Sequence, residues 1–149
     1  MFRRIIATSP TWFTVPLRLA LAAVFIGHGA QKVLGVWGGP GFSKFISFPA
    51  PYAFMKPAWL WMGAAALSEI VGGVLLLLGL LTRVGAFFLT CTMLVAVVGV
   101  HWPAFFSSNK GIEYPLSLLA MSLALLISGG GIASIDLALS SGKRRRKLN

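Results

Sequence analysis

The sequence predicts an all-α integral membrane protein, a four-helix bundle with a long aromatic-rich loop between its first and second helices. Three observations lead there. Of 149 residues, 57% are apolar and only 11% charged, a balance that no ordinary water-soluble domain of this size shows. The apolar residues collect into four runs close to the roughly 20 residues needed to cross roughly 30 Å of hydrocarbon. The runs lack period-two alternation and are too long for strands, which excludes a closed β-barrel.

The first span runs from about Val15 to Leu34, the second from Ala58 to Leu81, the third from Val84 to about Val100 and the fourth from about Tyr114 to Ile135. Together they form a single transmembrane domain over residues 15–136, preceded by a segment 1–14 and followed by a basic tail 137–149. Pro16, Pro57 and Pro115 stand at or just before three of the four starts, where a missing N–H costs nothing and the fixed φ suits a helix. Pro103 helps end the third span, and Gly129, Gly130 and Gly131 loosen the last turns of the fourth. Arg3 and Arg4 precede the first apolar run as they would in a signal peptide, but Arg18 interrupts its start and more membrane sequence follows. It reads as a retained helix.

Thirteen Lys and Arg against three acids give a net charge of +10. These bases sit at ends and turns, without the interleaved aromatics of a nucleic-acid surface, so nucleic acid is not expected as a partner and orientation by positive charge is. Arg3, Arg4, Arg83 and "KRRRK" from Lys143 to Lys147 all fall on one side if the span count is even. Both termini are therefore expected in the cytoplasm and the chain in a bacterial-type inner membrane. The loop from Gly35 to Pro57 carries Trp37, Phe42, Phe45, Phe48, Tyr52 and Phe54, rings that favour a membrane interface and here either form an aromatic belt or cover a ligand mouth.

A charge inside hydrocarbon costs on the order of 3 kcal/mol by insertion scales, so each should face the interior and have a partner. With a rise of about 1.5 Å per residue, His28 and Glu69 each lie about 18 Å from the cytoplasmic ends of their helices and can meet. Lys32 is one turn further out on the His28 side. His101 ends the third span and Glu113 begins the fourth. His28, Lys32, Glu69, His101 and Glu113 thus form a candidate ligand-binding cluster opening toward the non-cytoplasmic side, and two of its members are histidines with an ordinary pKa of about 6.5. At the opposite end, Arg18 and Asp136 share one level and are expected to form a structural ion pair.

No cofactor is evident. A haem between the two histidines is disfavoured because His101 would sit about 27 Å from the cytoplasmic end against about 18 Å for His28. No local metal-ligand spacing occurs, Cys91 stands alone in an apolar run, and there is no phosphate loop or nucleophile elbow. Catalytic residues are not identifiable.

"LRLALAAVFIGHGAQKVLG" from Leu17, "ALSEIVGGVLLLLGLLTRVGAF" from Ala66, "EYPLSLLA" from Glu113 and "GGGIASIDLAL" from Gly129 together resemble the DoxX family of small four-helix membrane proteins. The polar pattern of that family matches Arg18, His28, Gly29, Lys32, Glu69, Gly72, Gly79, Arg83, Glu113 and Asp136. The resemblance implies a subunit similar to the membrane component of a thiosulfate:quinone oxidoreductase, and so an association with redox metabolism. On that footing the polar cluster is expected to bind a quinone-like headgroup or a small oxyanion, with His28 or Glu69 handling protons. The alternative is a non-catalytic anchor for a soluble redox enzyme, held by the cytoplasmic ends. A small transporter ranks last, for want of a continuous polar path. The lipid bilayer is an expected partner, and a redox complex or further copies of the chain are the protein partners left open.

Overall fold

The computed structural model describes residues 6–145. Arg3, Arg4 and the end of the basic run, Arg146 and Lys147, lie outside the described residues. Six helices and no strands occupy the described chain: α1 Thr14–Leu34, α2 Gly41–Ile46, α3 Ala58–Leu78, α4 Thr82–Val95, α5 Glu113–Ser128 and α6 Ile135–Arg145. A π-helical turn over Ala96–His101 prolongs α4. Three helical stretches, Thr14–Leu34, Ala58–Leu78 and Thr82–His101, are long and apolar enough to cross a membrane, and α5 is a shorter apolar helix.

α1 packs chiefly on α3, α3 on α4, and α4 on α5, with α5 returning to α1. Leu21, Phe25, Leu76, Leu89 and Leu125 are completely buried where these faces meet. The outward faces carry large exposed apolar side chains such as Trp59, Val71, Phe88 and Leu94, the inverse of a water-soluble surface. α1 and α3 come together at small residues: a Cβ at Gly29 would lie 2.6 Å from the Ile70 backbone nitrogen, so only glycine permits that spacing.

The helices have two unlike ends. At one, here the turn end, α3 and α4 are joined by three residues, and α1 starts and α5 stops. At the other, the loop end, the segments 35–57 and 102–112 connect the helices.

The turn end is held by polar groups. Gly79 closes α3 in the left-handed region with φ 62°, and Leu81 follows with φ 47°, unusual for a branched residue. The Asp136 carboxylate fixes this geometry, accepting the Leu81 N–H at 2.8 Å and the Thr82 N–H at 2.9 Å. It thereby caps the first turn of α4 from a distant part of the chain, where unsatisfied N–H groups and the helix dipole both favour an anion. Arg18 spreads its guanidinium over the carbonyls of Gly130 and Ala133. Arg83 donates to the carbonyls of Ala7 and Leu126.

Two expectations are corrected here. Arg18 and Asp136 share the same level and are 3% and 1% exposed, but they form no ion pair within 4 Å: each is hydrogen-bonded to backbone groups, and their charges act on each other through space. The fourth apolar run also does not continue as helix to Ile135. α5 stops at Ser128, because Gly129 and Gly131 adopt φ 82° and 77°, and Asp136 belongs to the first turn of α6.

Replacing Asp136 with Asn removes a charge from two hydrogen bonds and sets an amide NH₂ against a backbone donor. We expect a loss of about 2 kcal/mol, the worth of a charge-assisted hydrogen bond, read as a lower thermal unfolding midpoint in detergent. Arg18→Lys is expected to destabilise as well, since an ammonium lacks the planar fork that serves two carbonyls.

Candidate functional site

Away from the turn end, α1, α3, α4 and α5 contribute to the walls of a cavity of about 630 Å³ that is mostly apolar, within the range of small-molecule sites. Phe25, Met93 and Leu118 form its inner wall, and Phe45, Pro51 and Met55 reach it from α2 and the following loop. Its polar groups are few: His28 and Lys32 of α1, Ser68 and Glu69 of α3, Thr92 of α4, His101 of the π turn and Tyr114 of α5.

Glu69, 2% exposed, is the buried acid of this cavity. Both its carboxylate oxygens accept from Lys32 Nζ at 2.5 Å. The ammonium also lies 5.3 Å from the centre of the Phe45 ring, within cation–π range. Sequence depth had matched Glu69 with His28, yet Lys32 is the partner. The reason lies in helix geometry. Side chains lean toward the N-terminus of their helix, so Lys32, starting one turn nearer the loop end, covers the level of His28 with its long stem.

His28 is solvent- or lipid-exposed and turns to α5, with Nε2 3.4 Å from the Tyr114 hydroxyl and ring centroids 6.2 Å apart. Tyr114 was not singled out from the sequence. Its position beside Glu113, at the loop end of an apolar run, was the available signal.

His101 also lines the cavity, but its Nδ1 is engaged by the Lys110 carbonyl at 2.5 Å. Its direction depends on the π turn, which inserts extra backbone per turn and is common at functional positions. Glu113 is not among the residues lining the cavity. It occupies the first position of α5, where its charge favours the helix N-terminus. The five candidates therefore divide: Lys32 and Glu69 are bonded to each other, His28 and His101 share their cavity, and Glu113 stands apart. Among the described residues no group of three or more His, Cys, Asp or Glu is placed to hold a metal ion.

The Lys32–Glu69 pair makes a prediction independent of any ligand. Glu69→Gln leaves an ammonium without its counter-charge and should destabilise by roughly 3 kcal/mol, as expected for breaking a buried ion pair. The double variant Lys32→Met with Glu69→Gln should regain most of this, measured by thermal unfolding of both proteins in the same detergent.

The sequence model of the DoxX family matches residues 13–102, which contain α1 to α4 and the π turn. A Bacillus subtilis protein named "Putative oxidoreductase CatD" is 30% identical over 136 residues, covering 91% of this chain and 93% of that protein. "Uncharacterized membrane protein Rv3486" of Mycobacterium tuberculosis is 34% identical over 136 residues, 83% of this chain and 79% of that one. A protein of Haemophilus influenzae is 33% identical over 133 residues, 84% and 89% of the respective chains. No solved structure matches. The family match, the full-length relatives and the long apolar helices agree that this chain is an integral membrane protein of the DoxX family.

Proposed function

We propose that this chain is a redox-associated membrane protein whose cavity binds a quinone-like headgroup at its polar end. The observation that carries this reading is the composition of the cavity: an apolar chamber of about 630 Å³ with a neutralised ion pair, a histidine and a tyrosine hydroxyl gathered on its walls. A quinone is an uncharged ring with two carbonyl acceptors, and it needs hydrogen-bond donors in an apolar setting. The His28 ring and the Tyr114 hydroxyl face each other at 3.4 Å and together can turn a donor to the ring, and Lys32 is partly exposed toward the same space. His28 and Glu69 are the groups able to exchange protons with a ring that gains or loses them on reduction. The name of the Bacillus subtilis relative points in the same direction.

The pairing of Lys32 weighs against the small-oxyanion form of the proposal. Glu69 already satisfies the ammonium, so an incoming anion meets a carboxylate of its own sign. The non-catalytic anchor would have to work through the terminal segments, because Arg83 is occupied by intrachain carbonyls.

In the membrane arrangement we propose, α5 is the fourth crossing of a four-helix bundle. Its 16 residues give about 24 Å of helix, and the rest of the hydrocarbon depth is made up by the segment after Ser128. That segment is tied to the start of the chain, where Thr8 Oγ1 accepts the Gly131 N–H and the Thr11 carbonyl accepts the Ile132 N–H. The positive charge at the turn end sets that end in the cytoplasm, and the aromatic loop then lies at the opposite face of an inner membrane.

Purified protein in mild detergent is expected to bind decylubiquinone, followed by quenching of tryptophan fluorescence. His28→Ala should weaken binding about tenfold, the value of one hydrogen bond of about 1.4 kcal/mol, without lowering the unfolding midpoint. Glu69→Gln should weaken it too. Full affinity in both variants would remove the site assignment.

A further inference from the structure

The cavity is roofed where water would enter and open where lipid would. At the loop end, Phe45 of α2 lies over Lys32, and Met55 is buried at 7% exposure. Pro51 and Tyr52 press on Gly99 of the π turn so closely that a Cβ there would lie 2.9 and 2.8 Å from them. The chain from α2 to α3 therefore forms a lid seated on the end of α4.

The sides differ. α3 and α4 touch near their connecting turn, where a Cβ on Gly85 would be 3.3 Å from the Gly72 carbonyl oxygen. Further along they are stapled by the Ser68 and Thr92 hydroxyls, 2.7 Å apart. Around the staple the cavity is lined by Met62, Ala64 and Ala65 of α3 and by Cys91 of α4, and Ala64 and Cys91 are exposed on the molecular surface. Trp61 and Phe88 line the cavity and are nevertheless 45% and 51% exposed. This opening sits at the middle of two helices long enough to span a bilayer, so it faces hydrocarbon.

We propose that the cavity is entered sideways from the bilayer through the cleft between α3 and α4, and that its ligand is an uncharged-headed amphiphile whose hydrocarbon chain stays in that cleft. The proposal rests on the quinone-like reading of the site and adds the route and the tail. Charge selects the head: Lys32 and Glu69 cancel, leaving a polar but electrically balanced end that offers no net attraction to phosphate or carboxylate headgroups. The cleft selects the tail. From Trp61 to Ser68 the α3 wall is about 10 Å long, and the small side chains of Ala64, Ala65 and Ser68 leave room there for one hydrocarbon chain. A ligand drawn from solution would meet the lid instead.

Two probes test this on the full-length protein: a benzoquinone carrying a ten-carbon tail with a terminal diazirine, and the same ring without the tail. Photolysis and peptide mapping should place the tail on residues 61–68 or 87–95. Ala65→Trp and Cys91→Trp, which fill the cleft from opposite walls and spare the Lys32–Glu69 pair, should each weaken the tailed probe about tenfold. Neither should change binding of the tailless ring, which also serves with the unfolding midpoint as the check on folding. Labelling of residues 42–55, or unchanged affinity for the tailed probe in both variants, would overturn the lateral route while leaving the headgroup site intact. Failure of the unaltered protein to bind either probe would overturn the site itself, and the route with it.

Discussion

The ion pair between Lys32 and Glu69 is the constraint on which the middle of this molecule depends. A buried carboxylate in a membrane helix is tolerated only with a counter-charge in reach, and here the ammonium comes from the neighbouring helix across a close helix contact. The glycine at position 29 brings α1 and α3 close enough for that bond. The consequence is a polar interior without net charge. It can be lined by Phe25, Met93 and Leu118 on one side and still present hydrogen-bonding groups on the other. A protein whose interior kept a free charge would collapse around it or fill with water.

The two ends of the helical domain are held in different ways. At the turn end, Arg18, Arg83 and Asp136 spend their charges on backbone groups that the three-residue turn and the glycine break after α5 would leave unsatisfied. That end is closed. Toward the loop end a π turn closes α4, and Pro51 and Tyr52 of the aromatic segment pack against it at Gly99. Tied by polar contacts at one end and covered by the loop segment at the other, the apolar helices enclose a cavity beside their hydrophobic core.

Much of this was legible in the sequence. Composition and run length identified the membrane class, and the prolines marked helix starts to within a few residues, whereas the fourth run was read seven residues too far. The level shared by Arg18 and Asp136, and the neighbourhood of His28, Lys32 and Glu69, followed from rise per residue alone. Partner choice did not. Rise places Cα atoms, whereas Lys32 reaches Glu69 because side chains lean backward along a helix. Arg18 and Asp136 were read as each other's partner because opposite charges at one depth suggest it. The backbone groups that take them arise from a helix break at Gly129, which three consecutive glycines signalled only weakly, and from the left-handed Leu81. The π turn left no mark in the residues Ala96 to His101, and with it went the reason why His101 joins the cavity. Glu113 was grouped by depth, but its place in the first turn of α5 keeps it out of the cavity lining.

On the proposed reading, the electrically balanced polar end of this apolar cavity holds a redox-active lipid. The most direct measurement is organic extraction of protein purified in mild detergent, followed by mass spectrometry of everything released. An isoprenoid quinone recovered in amounts comparable to the protein, and depleted from a His28→Ala preparation, is the predicted result. An extract of phospholipid alone, the same from both preparations, would contradict it.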